Sequence, residues 1–327
     1  TSILQPNKMR DNNPSPYARS EIDLECLSER ISAMKRQEER FYRCGDYLKQ
    51  CSDIDVSQHL SESNEIDTLQ SNAVVDAECR SKMSKWCIEV AQYLSYSRET
   101  VSIAMSHLDR YLSTKNGAAN LRDRKDFQLA AMAAFFIAIK TSSEPYQLDV
   151  KCLVALSKGV YSEERFIQME KDILTSLDWH VNPPTAEMFV HHFLSVLPLS
   201  AETTVVHPAT VKNILELCLL QTSYAMSEYS FVTENQSVVA LASILNAMDL
   251  TDYAYLPQKC QLSFGNSIFK IMGSDVLTDE IKNIQSRLLN GIPQMTWHNA
   301  DENNAIGAMT TTAPNSYNSV MKQYGSP

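Results

Sequence analysis

Residues 126–140, DFQLAAMAAFFIAIK, are apolar nearly all the way round. A helix without a polar face has to be surrounded on every side. The run is too short to cross a bilayer, so protein must do the surrounding. The neighbouring sequence supplies it: helix-period stretches lie at about 74–94, 98–113, 148–157 and 162–177. VNPPT at 181–185 closes this set, because two prolines cannot continue a helix and the second suits a fresh N-terminus. A second set follows at about 185–197, 208–226, 234–248, 258–272 and 277–290. Its middle stretch, QSVVALASILNAM, is again small and apolar. Strand-like alternation is rare, and only 8 Gly and 12 Pro interrupt the helical pattern. The fold class is therefore all-α: two tandem five-helix units, repeated in pattern and not in sequence identity.

The remaining segments are expected as follows. Residues 1–21 are polar and read as disordered. Residues 22–72 read as an N-terminal helix to about 50 and an acidic, Ser-rich linker over 52–72. The first unit takes 73–182 and the second 183–291. The tail, 292–327, is rich in Asn, Thr, Ser and Met and is expected to be mobile.

Charge and cysteine usage narrow the function. With 29 basic against 39 acidic residues the net charge is −10, which argues against broad binding to a phosphate backbone. The eight cysteines (26, 44, 51, 79, 87, 152, 218, 260) form no CxxC pair, so a zinc site has little support, and several at apolar helical positions suit buried thiols in a reducing compartment. No metal or cofactor is expected. The start, TSILQPNKMRDNNPSPY, lacks the apolar core of a signal peptide and an initiator Met, so the expectation is an intracellular chain that begins as a fragment or processed product. No apolar run reaches membrane-spanning length, and no membrane partner is expected.

HLDRYLS, 107–113, sets an acid beside a base inside an apolar helical run. Two readings compete. Asp109 could serve acid–base chemistry, or it could pair with Arg80 of the preceding helix and brace the fold. Catalysis would want a second acid, a ligand set or a matched His, and none is visible. His191 and His192 are adjacent, so on a helix they point about 100° apart and form no chelating face. Phosphate-loop, dinucleotide and hydrolase motifs are absent. The chain reads as a non-enzyme.

Four segments in this order and spacing resemble the cyclin box: CRSKMSKWCIEV, TVSIAMSHLDRYLS, FQLAAMAAFFIAIK and QMEKDILTSLDWHVNPPT. SEYSFVTENQSVVALASIL is similar to the weaker C-terminal cyclin fold. The resemblance implies a regulatory subunit that binds and activates a cyclin-dependent Ser/Thr protein kinase in cell-cycle progression. It implies that Arg80 and Asp109 form a buried structural ion pair. It implies that Lys140 and Glu170 bind the kinase, by donating to and accepting from the segment that leads into its movable helix. Read without the resemblance, Lys140 is a C-terminal cation favoured by the helix dipole and Glu170 a solvated charge. It further implies a groove of Cys79, Met83, Trp86 and Gln128 for Arg-x-Leu peptides of substrates or inhibitors. Spacings of four and three put 79, 83 and 86 on one helix face; ordinary core packing is the competing reading.

The chain departs from the family after Lys140. KTSSEPY puts Thr141, Ser142 and Ser143 where an aromatic or apolar residue and then acids are common, with Tyr146 as a substitute surface. Cys79 stands where Met is common and Lys85 where an acid is common. No Arg-x-x-Leu or Lys-Glu-Asn degradation box occurs, and with LDWHVNPPTAEMFVHHFLS this leans toward a D-type, G1-like member. LECLS at 24–28 is a near miss to a pocket-protein motif. Ser15 and Ser326 sit in minimal proline-directed phosphorylation sites. Nucleus and cytoplasm are the expected locations. The alternatives are a cyclin-fold transcription factor or pocket-type protein that binds nucleic acid or peptides, and an unrelated helical enzyme.

Overall fold

The computed structural model describes residues 21–50, 75–142, 148–197, 206–273 and 279–299, and no strand occurs among them. The linker at 52–72, Tyr146, Ser15, Ser326 and residues 300–327 lie outside the described residues.

An N-terminal helix, α1, spans Glu21–Phe41. The first set follows: α2 (Ala77–Tyr93), α3 (Arg98–Leu112), α4 (Arg124–Thr141), α5 (Val150–Leu156) and α6 (Glu163–Ser176). The second set is α7 (Ala186–Leu194), α8 (Pro208–Ser227), α9 (Gln236–Asp249), α10 (Gln258–Met272) and α11 (Asp279–Asn299). Short polar side chains fix most starts. Asp76, Ser97, Asp123, Ser162 and Thr185 each accept a hydrogen bond from a first-turn N–H, which would otherwise lack a partner. Pro208 opens α8 at a position where its missing N–H costs nothing.

α4 is the hub of the first set: Phe127 and every residue from Leu129 to Ile139 are buried. α9 plays the same part in the second set, in a separate hydrophobic cluster. Between α3 and α4 the chain makes a one-turn helix, Lys115–Ala118, and a 3-10 turn, Ala119–Arg122. A Cβ on Gly117 would lie 1.9 Å from the Tyr111 carbonyl oxygen, so this corner admits only glycine.

The expected helix over 22–50 is broken. α1 stops at Phe41, and residues 42–46 are not helical. Local helix preference loses there to tertiary contact. Phe41 stacks on His180 at 4.3 Å, and Tyr47 meets Tyr229 edge-on at 5.1 Å. Apart from its last residue, Phe41, α1 packs not on the first set, which follows it in sequence, but on the second. Leu27, Ile31 and Met34, one stripe of the helix, join the second cluster. LECLS thus lies in α1, with its Leu27 buried. Glu38 continues the attachment. Its carboxylate accepts from Ser237 N (2.9 Å) and Ser237 Oγ (2.5 Å), supplying the first-turn acceptor that the α9 cap residue Asn235 does not provide. Burial pushes Glu38 above the usual carboxylate range, and the Ser237 bonds oppose that. The last helix also departs from expectation: α11 runs past 291 to Asn299. The bulk polarity of 292–327 hides an apolar beginning, with Ile292, Met295 and Trp297.

Candidate functional site

α2 and α3 bring Arg80 and Asp109 together. Arg80 Nε donates to Asp109 Oδ1 at 2.8 Å and Nη2 to Oδ2 at 2.7 Å, a two-pronged pair. The side chains are 3% and 8% exposed. Arg80 Nη1 reaches further, to the carbonyls of Met226 (3.0 Å) and Ser227 (3.1 Å) in the last turn of α8. Tyr47 Oη donates to Asp109 Oδ1 at 2.9 Å. Burial alone would depress Arg80, but the Asp109 charge overrides it and holds the guanidinium above its ordinary range. Each polar group of the pair thus has a partner, and those partners come from the first set, from the second set and from the N-terminal segment. Arg110, next in sequence, donates to the His180 carbonyl at 2.9 Å and lies 4.7 Å over the Tyr42 ring. Nearby His107 bonds the Val181 carbonyl at 2.9 Å, and burial pushes its imidazole down to about 4. HLDRYLS is wired into the join between the two helical sets, and both Asp109 oxygens are taken by structural donors.

Lys140 and Glu170 form a pair of a different kind. Lys140 is in the last turn of α4, and Glu170 lies along α6, which packs against α4. Nζ donates to Glu170 Oε1 at 2.5 Å. The lysine side chain is 44% exposed and the glutamate 14%. Among the described residues each spends a single polar atom on the other, which leaves two ammonium donors and one carboxylate oxygen unspent. The surroundings are partly apolar. Ile167, one turn before Glu170 on α6, is exposed. Trp179, just beyond the end of α6 and nine residues after Glu170, is a separate exposed aromatic. It follows Asp178 in a turn where both have left-handed backbone (φ 48° and 59°), which L residues seldom adopt. Sequence reasoning did not single out Ile167 or Trp179. Pattern alone marks Ile167 as an ordinary helical apolar residue, and only its exposure sets it apart.

The groove residues meet only in part. Cys79 and Trp86 on α2 are half-buried, and Trp86 lies edge-on to Phe135 with centroids 6.0 Å apart. Gln128, exposed near the start of α4, accepts from Tyr161 Oη at 3.0 Å. Met83 is buried in the first cluster, so it is not the exposed apolar surface expected of it. The shared face of 79, 83 and 86 turns inward at its middle. Lys82, next to Met83, is exposed and pairs with Glu78 at 2.8 Å.

Among the described residues no group of three His, Cys, Asp or Glu side chains is arranged to hold a metal ion. His191 lies 3.9 Å from Glu187, while the His192 ring bonds the Met188 carbonyl at 2.7 Å.

Residues 31–182 match the family model described as cyclin, N-terminal domain. Cyclin-A1-4 of Oryza sativa subsp. japonica is 29% identical over 201 residues, covering 61% of this chain and 52% of the relative. G2/mitotic-specific cyclin-2 of Antirrhinum majus is 31% identical over 134 residues, covering 41% of this chain and 29% of the relative. The chain thus spans about half or less of the length of these curated relatives. In fold it is similar to the crystal structure of a viral cyclin from herpesvirus saimiri, with a TM-score of 0.51 at 16% identity, covering 74% of this chain and 96% of that one.

Proposed function

Because the chain belongs to the cyclin family, we propose that it binds and activates a cyclin-dependent Ser/Thr protein kinase and has no catalysis of its own. The observation that carries the proposal is the half-exposed Lys140–Glu170 pair at the join of α4 and α6. Its unspent donors and acceptor suit the exposed backbone of a partner segment, and Ile167, one turn before Glu170, supplies apolar contact nearby. Holding that segment would set the movable kinase helix, so that its Lys–Glu pair forms and the activation loop opens. Affinity purification of the chain from cells tests this directly. A co-eluting kinase whose activity depends on the chain is expected; recovery without any kinase would refute it.

The finer assignments belong to the same proposal. Arg80 and Asp109 brace the two five-helix units, taken as 73–182 and 183–291. A docking site for Arg-x-Leu peptides would rest on Cys79, Trp86 and Gln128, with Met83 as buried floor. Trp86→Ala should then lower peptide affinity in a fluorescence-polarisation titration while leaving activity on a small generic substrate in place. Loss of both together would make Trp86 a core residue only. The relatives above carry A-type and G2/mitotic names, so the D-type lean of the sequence draws no support from them. Control of cell-cycle progression, in nucleus and cytoplasm, completes the reading; imaging of the tagged chain through the division cycle checks both.

A further inference from the structure

We propose that Phe136 is a positioning residue that seats the Lys140 ammonium ready for the kinase; this rests on the kinase-binding reading of Lys140 and Glu170 given above. α4 places the two residues four apart, one turn from each other on the same face. Lys140 Nζ stands 4.6 Å from the centroid of the Phe136 ring. That is within the range where the negative face of an aromatic ring attracts a cation, and the attraction grows where water is excluded. The ring is only 8% exposed, so core packing holds it still and largely dry. Its neighbour Phe135 projects about 100° away around the helix and is fully buried against Trp86. The two adjacent phenylalanines therefore do different work: one fills the core, and the other floors a charged site.

A lysine side chain has several rotatable bonds and, at a half-exposed helix end, would sample many of its conformers. Here two contacts from different directions restrain one atom. Glu170 holds Nζ from α6, and Phe136 holds it from within α4. An exposed Lys–Glu pair alone gives little restraint, because solvent competes with it. Any apolar residue would fill the space at 136, but only an aromatic face attracts the charge. The ammonium is ordered before the partner arrives, so less freedom is lost on binding. Ordering one long side chain in advance corresponds to roughly a three- to ten-fold gain in affinity.

The test reads the seat in the free protein and its purpose in the complex. In the proton NMR spectrum of the full chain, the Lys140 ε-methylene signals should be shifted upfield by the ring. They should return to ordinary values in Phe136→Leu and stay shifted in Phe136→Tyr. The kinase recovered with the wild-type chain is the probe for binding. Phe136→Leu should weaken its affinity roughly three- to ten-fold, with Phe136→Tyr close to wild type. In a Lys140→Ala background, Phe136→Leu should bring no further loss. The proposal is overturned if the wild-type signals are unshifted, a result that stands even if Phe136→Leu does not fold. It is equally overturned if Phe136→Leu weakens binding as much without Lys140 as with it, since Phe136 would then act through packing alone. If Lys140→Ala leaves kinase affinity unchanged, the grip itself fails. The seat then loses its purpose even though the upfield shift persists, and the two failures are told apart.

Discussion

Arg80–Asp109 and Lys140–Glu170 are both single ion pairs between two helices of the same five-helix set, and they differ in what is left over. The first is buried, and its remaining groups are taken by Tyr47, Met226 and Ser227. The second is half in water, with donors and an acceptor unspent among the described residues. Salt bridging as such decides nothing about role. A buried charge tolerates no missing partner, so its site must be closed, and a closed site can only brace. A pair at the rim gives little stability, so its unspent valences are free for another molecule.

Removing one member of the closed site should give the largest effect. Arg80→Ala leaves the Asp109 charge buried without its counter-ion and the α8 carbonyls without a donor; a loss of about 3–5 kcal/mol is expected in urea unfolding. An unchanged midpoint would mean that the join does not depend on the pair. Acid is a second way to break the same region. His107 is held neutral by burial, with its folded value near 4 against about 6.5 unfolded. A histidine with a depressed folded value loses stability as pH falls, because the unfolded chain takes the proton first. The stability gap between wild type and His107→Gln should therefore shrink between pH 7 and pH 4, by on the order of 3 kcal/mol. A gap independent of pH would put water at His107. Next comes Tyr47→Phe, which removes the hydroxyl donated to Asp109 and leaves the ring in place. About 1.5–2 kcal/mol should be lost in thermal melts, the worth of a hydrogen bond to a buried charge. The smallest effect is predicted at the rim: Lys140→Ala should move stability by no more than about 0.5 kcal/mol. A larger loss there would erase the distinction between the two pairs.

The sequence carried one half of the Arg80 site and not the other. Arg80 and Asp109 stand out as charges inside apolar helical runs. The Met226 and Ser227 carbonyls leave no mark, because every helix ends in free carbonyls whatever its residues. Helix positions were legible because the period of apolar residues is local information; the two middle helices came through as the hubs they are. The landing of α1 on the second set was not legible, since an apolar stripe says that a helix is covered without saying by what. Nor was the trans contact of Glu38 with Ser237, made between residues about two hundred positions apart. Met83 shows the limit within a single helix: spacing groups 79, 83 and 86 on one face, but the rotation of that face is set by packing. Lys140 and Glu170 were singled out through family resemblance. Their own residue types fit an ordinary helix end and a solvated charge equally well.

The rim pair is proposed to grip a kinase and not only to bond α4 to α6. Exchanging the two charges, Lys140→Glu together with Glu170→Lys, separates the two roles. The exchange conserves net charge and lets the two side chains still pair with each other, so a merely internal role survives. Toward a partner's fixed backbone groups it replaces donor by acceptor and acceptor by donor. Breaking one buried, charge-assisted hydrogen bond at an interface costs about 2–5 kcal/mol, and about 1.4 kcal/mol is tenfold in affinity. Circular dichroism reads the fold, and pull-down with a kinase assay reads the function. A folded double variant that neither retains nor activates the kinase is the expected result. A folded double variant that activates it as well as the wild-type chain does would contradict the proposed grip.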